Sequence, residues 1–592
     1  MTTQKIPDFE RVLKTLNCKE PDRVPLGDFH IDPLIKNAFM GKKVETPQDQ
    51  VAFFQTAGFD YVTEVAGFYA GFGDTEGITT NEETAQTSLG EGRTRQWAHE
   101  HEGVITSWEA FEKYAWPTAD DFDFSIWETY DNILPSGMKA MPLLGKIYTP
   151  VWMLMGAEVF FNTLETDEEL AAAVFEKVGN IQFDTFQRLI EHPCVGAVAN
   201  PDDIAHNTGL LVNPKFLRKY LFPWYKKMGD ICRDRGLGFI YHSDGDCSEV
   251  LQDLIDCGFH GYHPIQPNCM DIVEVKKKWG KSLCLLGNIN LDSTLTLGTP
   301  EDVRAEVYER IRTIGPGGGY MVSSSNSIPD YVPVENMKAL FDATFEFGAY
   351  PIELEEGKIK GKIWTFTGKP KIDAAPKTVD LNIEEFMAAM LGKNVERLIE
   401  LTQAEIDAGR QAGEVVDAGM IPAMTTVGKK FQSGEIYIPE MLVAAKTMSA
   451  ALDHFKDQLI GKATENKGTV VIGTVKGDLH DIGKNLVTMM LQGQGFTVED
   501  LGISVDTAKF LESIRTTNPD VLAMSALLTT TMVEMKNTID ALEEAGLRKS
   551  VKIIVGGAPL TQAFADQIGA DGYAYDAPGA AQKCSDLISD LQ

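Results

Sequence analysis

The sequence predicts a multidomain α/β protein in which a TIM barrel is followed by a helical bundle and then by a flavodoxin-like doubly wound domain. Three observations predict this order. Eight short apolar runs alternate with helix-period segments over about the first 350 residues. Apolar residues then recur at helical spacing between positions 380 and 465. Five further strand-like runs alternate with helices up to residue 592.

The composition indicates where in the cell the protein is expected and which classes of partner are excluded. A chain of 592 residues is long enough for roughly two to four domains. Its formal net charge of −32 argues against nucleic acids and anionic membrane surfaces as partners. The eight cysteines are spread without a CxxC pair, and neither an apolar leader nor an apolar run of roughly 18 residues is present. We therefore expect a soluble cytoplasmic protein without disulfides that binds neither nucleic acid nor membrane.

The first domain, residues 1–352, is predicted from its eight β/α units. An insertion is placed at Asp74–Trp116, which is rich in Gly, Thr and Glu and is expected to form a hairpin or a lid. The predicted strands are Arg23–Gly27, Phe59–Val62, Lys146–Val151, Val195–Val198, Gly238–Tyr241, Gly261–His263, Leu283–Leu286 and Gly319–Val322.

Polar side chains follow these strands at the points where the strands end, which is where the chemistry of a TIM barrel lies. Each of them has a second interpretation as a helix cap or a loop hydrogen bond. The rim residues are Asp28, His30, Glu64, Asp202, Asp203, His206, Asn207, His242, Asp244, Asp246, His263, Gln266, Asn288, Asn290 and Ser323–Asn326. The candidate catalytic residues among them are Asp203, His206, His242, Asp244, Asn288 and Asn326.

Short motifs in this half resemble those of the uroporphyrinogen decarboxylase superfamily. They are Pro21–Pro25, Gly58–Tyr61, Asp202–Pro214, Tyr241–Gly245 and Ser323–Asn336. Decarboxylation of a polycarboxylate substrate is disfavoured, because the segment after the first strand lacks the arginines of that pattern and the rim is acidic. The superfamily also contains corrinoid-dependent methyltransferases, and the resemblance favours these.

Several of those methyltransferases hold zinc through His-x-Cys and a later Cys. Here His242 remains, but Asp244 stands at the position of the first Cys and Ser323–Asn326 at that of the second. The resemblance therefore leaves zinc in this barrel open. An oxygen-rich set of Asp203, His242 and Asp244 could hold a harder metal or none.

Residues 353–379 are predicted to be a linker and residues 380–465 a helical cap. The linker is rich in Lys, Gly and Pro without sustained periodicity. The segment around Gly419–Pro439 resembles the cap of corrinoid proteins, in which Met424 and Phe431 would cover the upper face of the corrin, although both also suit an ordinary helical core. The predicted helices are Phe386–Leu391, Val395–Ile406, Ala412–Gly419, Ile421–Phe431 and Met441–Leu459.

Residues 466–592 are predicted to form the doubly wound domain, with motifs in the loops after its strands. The motifs are Asp478-x-His480-x-x-Gly483, Ser525-x-Leu527 and Gly556-Gly557, in that order. The ordered set resembles the B12-binding domains of methionine synthase and of corrinoid proteins. The predicted strands are Gly468–Val475, Thr497–Leu501, Val521–Met524, Lys552–Val555 and Gly572–Ala574.

The resemblance implies a bound cobalamin or related corrinoid with His480 as the lower axial ligand of its cobalt. Asp478 would orient His480 through a hydrogen bond, and the hydroxyl of Thr531 would bond to Asp478 in turn. The cofactor-binding residues implied in this way are Asp478, His480, Asp481, Gly483, Ser525, Leu527, Thr529, Thr531, Gly556 and Gly557, with Met424 from the cap.

Together the resemblances predict a fused corrinoid methyltransferase with a layout like that of chloromethane methyltransferases. It would move a methyl group from a small methylated donor to Co(I), for onward transfer to tetrahydrofolate or a second methyltransferase, with a reductive activation protein as a further partner. The donor stays open among methyl halides, methoxy compounds, methyl sulfides and methylamines. Two alternatives remain: a methylcorrinoid-to-thiol methyltransferase, which the missing zinc thiols disfavour, and a B12-responsive binding protein with an inactive barrel, which the polar rim disfavours.

Overall fold

The protein consists, in chain order, of a parallel barrel, a helical cap and a doubly wound α/β domain, which confirms the predicted fold class. The computed structural model describes residues 5–65, 80–85, 93–98, 103–352, 381–410, 412–455, 467–478, 482–526, 531–557, 560, 562–575 and 577–589. Most of the predicted linker lies outside these residues. Within the predicted insertion, Thr80–Ala85 and Arg93–Ala98 pair as an antiparallel hairpin.

Seven parallel strands form the barrel sheet, and they neighbour one another in the order in which they occur in the chain. The segment before them completes the wall. Leu26 pairs in parallel with Val322 of the last strand, and Thr63 Oγ1 of the first strand donates to the carbonyl of Phe29 at 2.6 Å. The strands are Tyr61–Val65, Lys139–Leu143, Ala197–Pro201, Gly238–His242, Gly261–His263, Cys284–Ile289 and Tyr320–Ser324.

Two predicted barrel strands are wrong. The run Arg23–Gly27 is not a strand and makes only isolated bridges, at Arg23 and Leu26. The run Lys146–Val151 is not a strand, because a helix begins at Tyr148 within it, and the strand lies upstream at Lys139–Leu143. Pro142 lies within the true strand and made it hard to predict, because proline is unfavourable in the interior of a strand. Pro150 falls in the first turn of the helix, where its missing N–H is not needed.

Helices connect the strands and cover the outside of the sheet. Two of them begin with a capping box, in which Thr46 or Thr299 exchanges hydrogen bonds with the aspartate three residues later. The helices are Phe9–Leu16, Pro33–Met40, Pro47–Ala57, Trp108–Lys113, Ser125–Ile133, Tyr148–Met155, Ala157–Thr166, Glu168–Leu189, Pro214–Phe216, Phe222–Arg235, Leu251–Asp256, Ile272–Trp279, Pro300–Ile314 and Val334–Phe347. Shorter or wider helical turns are Ala119–Asp121, Leu217–Leu221 and Leu291–Thr296, and a small hairpin joins Ala205–His206 to Gly209–Leu210.

Asp202 fixes the start of the helix that follows the second strand. Its fully buried carboxylate accepts the N–H groups of Ile147, Tyr148 and Thr149, each at 2.7 Å, and the hydroxyl of Tyr225 at 2.6 Å. Burial raises the pKa of this carboxyl, and these donors oppose the rise. Because four donors replace the water that the carboxylate loses, its role is to hold the rim together.

The cap follows the barrel as a bundle of helices at the predicted positions. Proline lies near the start of two of its helices, where the first-turn N–H groups have no helical partner. The helices are Ile383–Leu391, Val395–Asp407, Ala412–Val415, Ile421–Gln432 and Ile438–His454, with a wider turn at Val416–Met420.

The C-terminal domain has a five-stranded parallel sheet with the strands in the order second, first, third, fourth, fifth. This is the flavodoxin-like order, and the order reverses beside the first strand, so that a crevice opens at the carboxyl ends there. The strands are Thr469–Thr474, Thr497–Asp500, Val521–Ser525, Lys552–Gly556 and Gly572–Ala574. The helices are Ile482–Gly493, Thr507–Thr517, Met532–Glu544, Gln562–Ile568 and Ala577–Ser589.

The cap lies between the other two domains and contacts both. Its helix Ile438–His454 packs against Ala157–Thr166 of the barrel and against Ile482–Gly493 of the C-terminal domain. One cluster of buried apolar side chains extends through all three regions. Among the helices of the described residues, none combines the length and the hydropathy that crossing a bilayer requires.

We expect Asp202→Asn to lower the melting temperature, because an amide nitrogen would face backbone donors that now share a carboxylate. The loss should be about 2 to 3 kcal/mol in the free energy of unfolding. The matched control is Asp203→Asn at the next position, whose carboxylate is half-buried and accepts one described backbone N–H. Calorimetry of both variants checks this, and equal melting temperatures would contradict it.

Candidate functional site

Three polar side chains meet where two neighbouring barrel strands end. Asp203 follows the strand Ala197–Pro201, His242 ends the strand Gly238–His242, and Asp244 comes two residues later. One oxygen or nitrogen from each lies within 4.8 Å of the others, close enough to share one cation. All three are half-buried. The structure thus brings together the trio that the sequence places in one cavity.

The carboxyl of Asp244 is held through one of its oxygens. Asn326 Nδ2 donates to Asp244 Oδ2 at 2.8 Å, and the backbone N–H of Asp244 donates to Asp203 Oδ1 at 2.9 Å. The other oxygen, Oδ1, is buried and has no hydrogen-bond partner among the described residues. Since a buried oxygen of this kind is costly to leave unpaired, it is available to a bound group.

Burial and charge set the protonation of the trio. Burial raises the pKa of Asp244 to about 8, and the negative charge of Asp203 raises it further. Burial lowers the pKa of His242 to about 4, against the opposing effect of Asp203. The positive charge of Lys146 lowers both values. At neutral pH the site therefore carries its proton on a carboxyl beside an uncharged imidazole.

His263 lies beside His242 because the two residues are partners in the register of adjacent parallel strands. Their Nδ1 atoms are 2.7 Å apart, and their rings stack at 4.9 Å with an angle of 24°. The ring of Phe29 covers His263 at 4.5 Å. Burial, and then the neighbouring His242, lower the pKa of His263 well below its usual value. With Nδ1 of His242 engaged in this way, its Nε2 is the nitrogen left for the cavity.

Two predicted catalytic residues have other partners. Asn288 is buried, accepts from Arg310 Nε at 2.8 Å and donates to the carbonyl of Ile265 at 2.7 Å. This geometry favours a structural role for Asn288 over the predicted catalytic one. His206 stacks on Phe431 of the cap, with ring centroids 5.2 Å apart and an angle of 12°. It therefore lies at the contact between barrel and cap.

Two tyrosines extend this contact along the barrel rim. The hydroxyl of Tyr437 in the cap donates to the carboxylate of Glu249 at 3.1 Å. The hydroxyl of Tyr575, after the last strand of the C-terminal domain, donates to the carbonyls of Asn207 at 3.1 Å and Asn268 at 3.4 Å. Neither tyrosine was predicted, since a contact to a distant loop leaves no pattern in the sequence. The cap and the C-terminal domain thus both touch the rim that carries the polar trio.

The domain contact and the trio share a loop. The backbone N–H of Asp246 donates to the carbonyl of His206 at 2.9 Å. A side chain at Gly245 would place its Cβ 2.6 Å from that same oxygen, and φ at Gly245 is +83°. Only glycine satisfies both constraints. The segment that positions Asp244 is therefore packed directly under the histidine that the cap covers.

The crevice of the C-terminal sheet fits the ligand that the motifs imply. Asp478 is fully buried, and Thr531 Oγ1 donates to its Oδ2 at 2.6 Å. At Gly557, φ is +137° and any Cβ would collide with the carbonyl oxygen of Ala526, so this strand end keeps a bare backbone. Ser525 is half-buried at the end of the central strand. A buried, hydrogen-bonded carboxylate of this kind is suited to orient a metal-ligating histidine.

The remaining predicted cofactor residues divide into two groups. Gly483 is exposed with open space beside it, and Gly556 ends the fourth strand of the sheet. Met424 is buried in a cap helix, and its covering role stays a prediction. The predicted residues that lie outside the described part of the chain are His480, Asp481, Leu527 and Thr529.

Three family models match the chain. The model for uroporphyrinogen decarboxylase matches residues 125–347. Two models described as B12 binding domains match residues 383–456 and 468–581. The matches therefore fall on the barrel, the cap and the C-terminal sheet in turn.

Similar proteins cover one part of the chain or another. Dimethylamine corrinoid protein 1 of Methanosarcina acetivorans is 41% identical over 192 residues, which is 32% of this chain and 88% of that protein. A solved cobalamin-binding protein from Desulfitobacterium hafniense is 30% identical with a TM-score of 0.31, over 35% of this chain and 99% of that one. A methyltransferase structure from Methanosarcina mazei is 18% identical with a TM-score of 0.43, over 57% of this chain and 98% of that one. The first similarity extends over most of a whole protein, whereas the TM-scores of the two structures are too low to add to it.

The raised pKa of Asp244 predicts a pH-dependent cost in stability. In the unfolded chain the carboxyl ionises near pH 4, whereas in the folded protein it keeps its proton up to about pH 8. The folded state therefore binds more protons between these values, and its stability falls as the pH rises through them. Asp244→Asn removes this loss, so its melting temperature relative to wild type should rise steadily from pH 5 to about pH 8. Calorimetry at several pH values measures the difference, and a constant difference would show that the carboxyl ionises normally.

Proposed function

The chain belongs to the corrinoid-protein family and has the layout of a fused corrinoid-dependent methyltransferase, and we propose that it moves a methyl group from a small methylated donor to Co(I) of a corrinoid held in its own C-terminal half. The observation that carries the proposal is the docking of that half on the barrel rim. Phe431 of the cap stacks on His206, whose carbonyl is bonded to the loop that carries Asp244. The loop that carries Asp244 thus lies next to a contact between the barrel and the cap.

The C-terminal residues hold and orient the cofactor in this proposal. A reduced corrinoid supplies a strongly nucleophilic Co(I), which accepts a methyl group. With the cofactor bound, His480 would be the protein ligand of the cobalt, and Asp478, which accepts a hydrogen bond from Thr531, would orient it. Ser525, at the end of the central strand, and Gly557, directly after the next strand, would contact the nucleotide tail of the cofactor.

The barrel residues bind the donor and assist the departing atom. Asp244 is protonated at neutral pH and has one oxygen without a partner among the described residues. As the bond between methyl carbon and heteroatom breaks, the heteroatom keeps the electron pair and takes the proton of Asp244, which solvent later restores. General acid assistance of this kind contributes roughly 10² to 10⁴ in rate. A cation held by Asp203, His242 and Asp244 would act on the same atom as a Lewis acid.

A built-in proton donor narrows the class of methyl donor. Halide ions are weak bases that leave without a proton, so Asp244 would give them no advantage. Alkoxide and thiolate leaving groups need a proton at neutral pH, and so does the nitrogen of a methylamine that is bound in its uncharged form. The geometry therefore favours methoxy compounds, methyl sulfides and methylamines over methyl halides. Onward transfer to tetrahydrofolate or a second methyltransferase, and reduction by an activation protein, complete the proposal.

The donor class is tested on cobalamin-loaded, reduced protein by the loss of Co(I) absorbance after each candidate donor is added. We expect Asp244→Asn to slow transfer from the active oxygen, sulfur or nitrogen donor about 10²-fold, and the wild-type rate to fall as the pH rises through about 8. Methyl iodide is the internal control, since its rate should not change in the variant. A second control, Asp253→Asn, removes a carboxylate that pairs with Arg218 on the outer helices. Corrinoid-loaded protein that demethylates none of these donors would refute the proposal, and equal slowing with methyl iodide would refute the acid role.

The axial ligand is tested separately by the absorption and electron paramagnetic resonance spectra of the bound corrinoid. His480→Ala should remove imidazole ligation of the cobalt, and Thr531→Val should weaken it, because Asp478 would lose its hydroxyl partner. His192→Ala, at a barrel histidine paired with Asp131, is the matched control. Identical cobalt spectra in wild type and His480→Ala would show that this histidine is not the ligand.

A further inference from the structure

The paired histidines of the barrel share one proton between their facing nitrogens. Their Nδ1 atoms face each other across the two neighbouring parallel strands on which the rings lie. A neutral imidazole carries one N–H and one lone pair. At a separation of 2.7 Å between the two Nδ1 atoms, one ring must donate and the other must accept. The direction of this hydrogen bond decides what His242 offers at its other nitrogen.

The surroundings of the two outer nitrogens set the direction. Nε2 of His263 is buried and has no hydrogen-bond partner in the described parts of the chain. A proton on that nitrogen would be a buried donor without an acceptor, an arrangement that folded proteins rarely keep. The ring of His242 lies instead with one of its nitrogens within 4.8 Å of carboxyl oxygens of Asp203 and Asp244, which can accept an N–H. Both arguments put the shared proton on Nδ1 of His263.

We propose that His263 is a positioning residue: its Nδ1–H donates to Nδ1 of His242 and holds that ring in the tautomer with its proton on Nε2. His242 then presents a neutral N–H to the cavity beside Asp203 and Asp244. Under the proposed function, on which this reading of the ring's role rests, the N–H hydrogen-bonds to the departing heteroatom while Asp244 delivers the proton. The N–H of a neutral imidazole is a good donor of this kind, since it polarises an atom without adding a charge.

The same pairing opposes a cation at the trio. To bind a cation through Nε2, His242 would need its proton on Nδ1. His263 would then have to accept that hydrogen bond and carry its own proton on the buried Nε2. The unfavourable free energy of that unpaired buried donor would lower the affinity for the cation. The pair therefore favours hydrogen-bond donation over metal ligation at His242.

The tautomer is measured directly, without any methyl donor, in ¹H–¹⁵N spectra of the full chain labelled with [¹⁵N]histidine. The signals lost in His242→Ala assign that ring. In wild type they should show a protonated Nε2 and an accepting Nδ1, and His263→Asn, whose amide can donate from the same place, should keep this pattern. His263→Leu should lose it. A protonated Nδ1 on His242 in wild type would overturn the proposal even if neither His263 variant folds, and so would an unchanged tautomer in His263→Leu.

Kinetics with the donor found by the Co(I) assay give a second measurement. His263→Leu should lower kcat about tenfold or more with little change in KM, since only an interaction of the departing atom is lost. His263→Asn should restore most of kcat, which a role in packing alone would not produce. Equal loss in both variants at unchanged KM would contradict the positioning role. If no donor reacts, the proposed function fails while the tautomer measurement still decides the assignment of His263.

Discussion

The proposed chemistry depends on one ring contact, the stack of Phe431 on His206. The polar trio belongs to the barrel, and the cofactor motifs belong to the C-terminal sheet. Under the proposed function the two halves must therefore be held close together. His206 is placed for this by its own hairpin and by the loop after His242, which bonds to its carbonyl. Tyr575 adds a second anchor from the far domain. These contacts hold the cap and the C-terminal domain against the barrel rim.

Two adjacent aspartates differ in role because their side chains contact different groups. Asp202 and Asp203 follow the same strand, and the sequence places both of them on the rim. Asp202 turns into the wall, where three backbone N–H groups and a tyrosine hydroxyl satisfy it. Asp203 instead lies beside His242 and Asp244, and its negative charge raises the pKa of Asp244. The first uses its charge to order the rim, and the second uses it to keep a proton on its neighbour.

The sequence predicts the order of domains, all five strands of the C-terminal sheet and the polar trio, because these follow from periodicity and from where strands end. It does not predict the pairing of His242 with His263, which depends on the register between neighbouring strands. Lys146 was hidden for another reason, since the strand before it was placed too late in the chain. The partners of Asn288 come from a helix and a loop whose packing no local pattern reveals.

The joining of barrel and cofactor domain in one chain changes what their contact has to achieve. Two separate proteins must find each other at their cellular concentrations, whereas tethered domains meet at an effective concentration of roughly millimolar. Hydrogen bonds such as those of Tyr437 and Tyr575 can therefore be weak and still keep the barrel mouth covered most of the time. Weak contacts also release quickly, so under the proposed function an external acceptor would still reach the cofactor. For this chain, the rate of the first transfer per molecule would not depend on protein dilution.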